Sequence, residues 1–210
     1  SSVFAHEIPN DVTVQFWFKP DGQTLQLVAR VPLGAMRDIQ WPTHGPGYID
    51  IEQAEPFLAD AATVWLANDV EVYEDGVRLA VPNIVSTLLS LPSDQSFRLY
   101  EDAIEHTTGP PLDASIDIPW QQAMLDVLFE FPIRSELSEF SVRPGTQRLG
   151  LRVLTVLRFV RPDGVIRPFE FLEDPGVVQM DPSWYQASFR FVRLGFFHIL
   201  DGLDHLLFLL

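Results

Sequence analysis

The chain has 210 residues, 47% of them hydrophobic, enough to bury one substantial core. Its 29 acidic residues outnumber 14 basic ones, and the net charge of −15 excludes nucleic-acid binding, which needs a basic face. Without cysteine there can be no disulfide, thiolate metal site or cysteine nucleophile.

At the N-terminus, Val3-Phe4-Ala5 puts small or aliphatic residues at the −3 and −1 positions of a cut before His6. Residues 1–5 are therefore read as the remnant of a signal peptide. A cut there makes His6 the N-terminus; a terminal amine with imidazole can chelate copper or nickel, though an exposed His without a role is the plainer reading.

An extracytoplasmic domain is expected over residues 6–180. Val12, Val14, Phe16 and Phe18 alternate with Thr13, Gln15, Trp17 and Lys19, the period of a half-buried strand. Pro20-Asp21-Gly22 turns the chain, and Leu25, Leu27, Ala29 and Val31 complete a hairpin. A Pro/Gly-rich loop covers Trp41 to Tyr48. Phe57, Ala61, Val64, Trp65 and Asn68 mark the inner face of a short helix. Strands are expected at Val70–Tyr73, Val77–Leu79 and Ile84–Leu91. Ser93 or Asp94 caps a second short helix through Ile104, which Gly109-Pro110-Pro111 ends. Further strands are Ala123–Phe131, Ser138–Val142, Leu149–Val160 and Val165–Phe171. The run to Val160 is long enough to bend or to cross from one sheet to another. Many short strands with turn signals predict a mainly β domain, an antiparallel β-sandwich with short helical insertions.

This domain offers little chemistry to a sequence reading. It lacks a G-x-S-x-G elbow, a phosphate loop, an H-E-x-x-H helix and an EF-hand. His44 reads as a turn residue, or else a loop ligand. His106 closes a short helix, where its protonated ring would suit the helix dipole. Asp117, Asp126 and Glu130 could line a cleft, but carboxylates without a pocket do not make an enzyme. Trp41, Trp65 and Trp120 read as core.

From residue 181 the pattern changes. Asp181-Pro182 is a helix start, with Asp as cap and Pro in the first turn. An amphipathic helix over 181–210 would pass Trp184 and Tyr185 at interfacial depth and run into a transmembrane helix that is truncated. Arg190 and Arg193 would keep that flank cytoplasmic, but long translocated domains override the rule. The run Leu194–Leu210 reads LGFFHILDGLDHLLFLL, with His198, Asp201, Asp204 and His205 set among apolar residues. Titratable groups in such a setting are expensive and mark an ion or substrate path. His198, Asp201, Gly202 and His205 share one side of a helix. The two imidazoles lie two turns apart, roughly 10 Å along the axis, so one metal ion would need ligands from another helix. Imidazole suits nickel, zinc and copper. The bland alternative is polar glue between helices.

His198, ILDGL and Asp204-His205 form an H-x5-D-H pattern that resembles the first transmembrane helix of the HupE/UreJ family. AHEIP, RVPL, GPGY, LPSD and DVLFEFPI elsewhere look like the long-ectodomain branch of that family. Its second motif, a His-rich FHGxAHGxE, has no counterpart within the 210 residues. The resemblance implies a polytopic protein of the bacterial inner membrane, its N-terminal domain periplasmic, that handles a divalent metal. Nickel comes first, as substrate rather than tight cofactor. It assigns His198, Asp204 and His205 to the metal, and does not carry over Asp201. Membrane lipid and a periplasmic or membrane protein partner are the implied contacts, and no enzymatic activity is expected. One competitor is an accessory or assembly subunit whose ectodomain docks a periplasmic partner. Another is an intramembrane metalloenzyme, which would need a third ligand and a general base from elsewhere.

Overall fold

The computed structural model describes residues 11–181. The chain divides into two units, Ser1–Met180 and Asp181–Leu210, and the description below concerns the first.

The expected hairpin forms from β1 (Asp11–Asp21) and β2 (Thr24–Pro32), with Gly22 at φ +58° in the turn. A short ribbon, β3 (Thr43–His44) with β4 (Tyr48–Ile49), sits in the Pro/Gly-rich loop. Helix α1 (Ile51–Ala62) starts at Asp50, whose Oδ1 accepts from the Gln53 amide at 3.0 Å. Its end widens into a π-helical stretch, Thr63–Ala67. The buried face of this helix runs through Ala54, Leu58, Ala61 and Trp65. Phe57 and Val64, expected on that face, are exposed. Positions 54, 58, 61 and 65 follow the helical repeat, and 57 and 64 fall outside that stripe.

Next come β5 (Glu71–Glu74), β6 (Val77–Arg78) and β7 (Asn83–Ser90). Asp75 and Gly76, both at positive φ, join β5 to β6. Asp94 does not cap the expected helix. Its Oδ1 accepts from the Ser96 amide at 2.9 Å and opens a 3-10 turn at Ser96–Arg98. Helix α2 (Tyr100–Thr107) begins only after Leu99, with no side-chain cap. The remaining strands are β8 (Met124–Pro132), β9 (Phe140–Arg143), β10 (Arg152–Val160), β11 (Ile166–Phe171) and β12 (Val178–Gln179).

The protein is mainly β. One sheet has six strands in the order β11-β10-β1-β2-β8-β7, and a second has four in the order β12-β9-β5-β6. The six-stranded sheet is mixed rather than antiparallel as expected, because β1 pairs with β10 in parallel, Asp11 opposite Arg152 through Phe18 opposite Phe159. A parallel pair needs a long crossover, and most of the chain lies between these two strands. β10 stays within this sheet and does not cross to the other. It pairs with β1 on one side and β11 on the other.

Alternation fixes what each sheet face meets. Val14, Phe16, Phe18, Leu25, Leu27, Val127 and Phe129 enter a core shared with α1 and with Val72, Phe140 and Val142 of the smaller sheet. Phe140 and Phe159 bring the two sheets into ring contact, centroids 6.3 Å apart. The opposite face of the large sheet is also covered. Trp17, Val28, Leu128 and Val160 pack there under Phe97, Tyr100 and Ala103. Trp17 was expected on the open side of a half-buried strand; α2 and the turn before it close that side, and its indole donates to the Phe97 carbonyl at 3.1 Å.

Candidate functional site

Beneath α2, the face that carries Trp17 also carries charge. The antiparallel register sets Arg30 of β2 directly opposite Asp126 of β8, as it sets Val28 opposite Leu128. Arg30 is 3% exposed and Asp126 is fully buried. The guanidinium grips the carboxylate through both edges, Nε to Oδ1 at 2.7 Å and an Nη2 to Oδ2 contact of 2.6 Å. A planar fork on a planar carboxylate is the strongest form of such a pair. The same guanidinium donates to Asp94 Oδ1 at 2.8 Å and to the Ser96 hydroxyl at 3.2 Å, and lies 4.1 Å above the Phe97 ring.

Two more side chains complete the cluster. Ser90, at the end of β7, is fully buried and donates to Asp126 Oδ2. His106, in the last turn of α2, brings Nε2 to 2.7 Å from the Ser90 hydroxyl and 3.3 Å from Asp126 Oδ2; its Nδ1 faces Asp94 Oδ2 at 3.8 Å. With the Ser90 proton committed to Asp126, Nε2 must donate to Ser90. The hydrogen bond toward Asp126 raises the His106 pKa; burial opposes this and the Asp94 charge adds to it. For Asp94, burial pushes the pKa up. Hydrogen bonds from the Ser96 hydroxyl and from Arg30 outweigh it and hold the carboxyl at about 2.

The grouping of Ser90, His106 and an aspartate superficially matches a hydrolytic triad. Its proton directions do not. A nucleophilic serine gives its proton to the imidazole and stands open to a carbonyl, whereas Ser90 gives its proton to a carboxylate and is sealed from solvent. What the cluster does is anchor: it ties β2, β7, β8, the 94–96 turn and α2 together through charge.

The structure leaves other sequence candidates apart. Asp117 and Glu130 do not join Asp126 in a cleft. Asp117 pairs with His44 at 3.6 Å, both exposed, and Glu130 accepts from Gln26 at 3.3 Å. His44 sits beside the Tyr48 ring in its ribbon, in keeping with a turn residue. Trp41 and Trp65 are core residues, and Trp120 is partly buried at the edge of the same core. Among the described residues, no group of three or more His, Asp or Glu side chains is placed to hold a metal ion. No described helix is long and apolar enough to cross a membrane. His198, Asp204 and His205 lie outside the described residues, as does the expected helix beyond Asp181.

Sequence reasoning treated His106 as a helix-end cation and Asp126 as a cleft acid, and missed that they meet. One signal was present. Arg30 and Asp126 are opposite charges in two largely apolar strands, and such charges are candidates for a cross-strand pair.

No protein-family model matches the chain, and no curated protein matches it.

Proposed function

We propose that this protein is a membrane protein of the HupE/UreJ kind, which handles or transports a divalent metal, nickel first. The observation that carries the reading is the H-x5-D-H pattern of His198, Asp204 and His205 within the apolar run Leu194–Leu210. Neutral imidazole is a good nickel ligand, and the adjacent carboxylate offsets the ion's charge or orients a ring. The metal is cargo in this scheme, and the protein needs no catalytic turnover. In this reading the segment 181–210 leads into the bacterial inner membrane, and the β-rich unit is a periplasmic sandwich built from the two sheets. The core shared by those sheets supports the sandwich. The buried Arg30–Asp126 cluster serves the stability of that unit rather than the metal.

The test is uptake. Cells that depend on the full-length protein accumulate radioactive nickel, and replacing His198 and His205 together with alanine reduces accumulation to background while the protein still reaches the membrane. Unchanged uptake in the double variant refutes the reading.

A further inference from the structure

A second polar site lies away from the buried cluster, where two short helical segments and a turn converge. The π-helical stretch after α1 presents Trp65, the turn after β2 presents Arg37 and Asp38, and the 3-10 turn Thr146–Leu149 presents Arg148. These four residues line a cavity of about 280 Å³. π-Helical insertions recur at functional sites, because the extra residue re-aims a side chain.

The site is held by close backbone contacts. Gly145, at φ +65°, packs so tightly that a Cβ there would lie 2.0 Å from the Asp69 carbonyl oxygen. That approach brings Arg148 over the Trp65 indole, guanidinium carbon 4.8 Å from the ring centre. Arg148 also reaches Asp69 Oδ2 at 2.8 Å, and Arg37 donates to the Arg148 carbonyl at 2.8 Å. Two donors are left over. The Trp65 indole nitrogen and Arg37 Nε are buried and have no hydrogen-bond partner among the described residues. Trp65 itself is only 4% exposed. A buried donor without an acceptor costs about 1–3 kcal/mol, so a native site that keeps two invites an acceptor.

We propose that this cavity binds the carboxylate of a small organic acid. A carboxylate offers two coplanar acceptors to guanidinium forks, and the indole N–H supplies a third donor. Arg148, about half exposed, swings off the indole face to admit it. Asp38 also lines the cavity and opposes an anion's charge there, and the cavity volume suits an acid of a few carbons. The site is independent of the metal reading above, since it uses none of the same residues.

The experiment is a proton–nitrogen spectrum of the 15N-labelled full chain in detergent micelles, with the Trp65 indole signal assigned through Trp65→Phe. Adding succinate shifts that signal saturably; sodium chloride at matched ionic strength does not. Arg148→Gln and Arg148→Lys each weaken the apparent affinity by about tenfold or more, because a charge-assisted bidentate contact is lost. Asp38→Asn strengthens it. Triglycine carries the same group on a longer body and fails to saturate the site. No shift with succinate, or an equal shift with chloride, overturns the site. Saturation by triglycine in preference to succinate overturns the assignment to a small acid. A well-dispersed spectrum of each Arg148 variant verifies folding, and an undiminished succinate response in such a variant also overturns the proposal.

Discussion

Arg30 is the residue on which the charge beneath α2 depends. It neutralises a fully buried Asp126 and a partly buried Asp94, and its removal strands both. Arg30→Ala should destabilise the protein by about 3–5 kcal/mol in chemical denaturation, the usual result of leaving a buried charge unpaired. Replacing Arg30 with Met and Asp126 with Leu together should recover a substantial part of that loss, because the uncompensated charge goes too. His106 gives the cluster a pH dependence. Its folded pKa lies above the ordinary imidazole value, so its contribution is fully present below about pH 6.5 and fades as pH rises through the raised value. Asp94 works in the opposite sense. Its contribution is present above about pH 4 and is lost as pH falls toward its folded value of about 2. Melting temperatures should therefore be highest between these limits, and His106→Gln should flatten the alkaline decline while leaving the acid limb in place. Beyond the opposite charges of Arg30 and Asp126, this coupling was not legible residue by residue. Asp126 and His106 are twenty positions apart, and only the placement of α2 over the sheet makes them neighbours.

Single positions also govern whole elements. The Asp50 cap was not read from the sequence, although the helix it starts was expected; Asp50→Ala should lower stability by about 1 kcal/mol in denaturant titration. Gly145→Ala should cost at least about 2 kcal/mol, seen as a lower melting temperature. The new methyl would collide with the Asp69 carbonyl, and the positive φ disfavours any side chain. Edge strands follow the same logic. Pro168 sits in edge strand β11 and removes one backbone donor, while edge strand β7 carries a bulge between Ile84 and Ser86. Both devices hinder pairing with another chain. Local pattern located most strands because alternation and turn residues act over a few positions. It misplaced the inner face of α1 and the start of α2. There the phase of a helix depended on which side it docked, and Asp94 was drawn into a turn that Arg30 also holds.

At the scale of the molecule, the β-rich unit joins a six-stranded mixed sheet to a four-stranded antiparallel one through a common core, with α2 sealing the outer face of the larger sheet. The proposed metal role belongs to this scale as well, since its test is made on the full-length protein. The sequence by itself determined that the chain is rich in short strands, that β1 and β2 form a hairpin, and that His198, Asp204 and His205 share an apolar run. These are local facts, set by the twofold period of strands, by turn chemistry and by spacing. Only the tertiary structure decided that β1 lies beside β10 in parallel, that Trp17 is buried, and that Arg30, Ser90, Asp94, His106 and Asp126 form one cluster. Such outcomes depend on contacts between residues far apart in sequence. Their free energy comes from burial and charge pairing that no single segment contains.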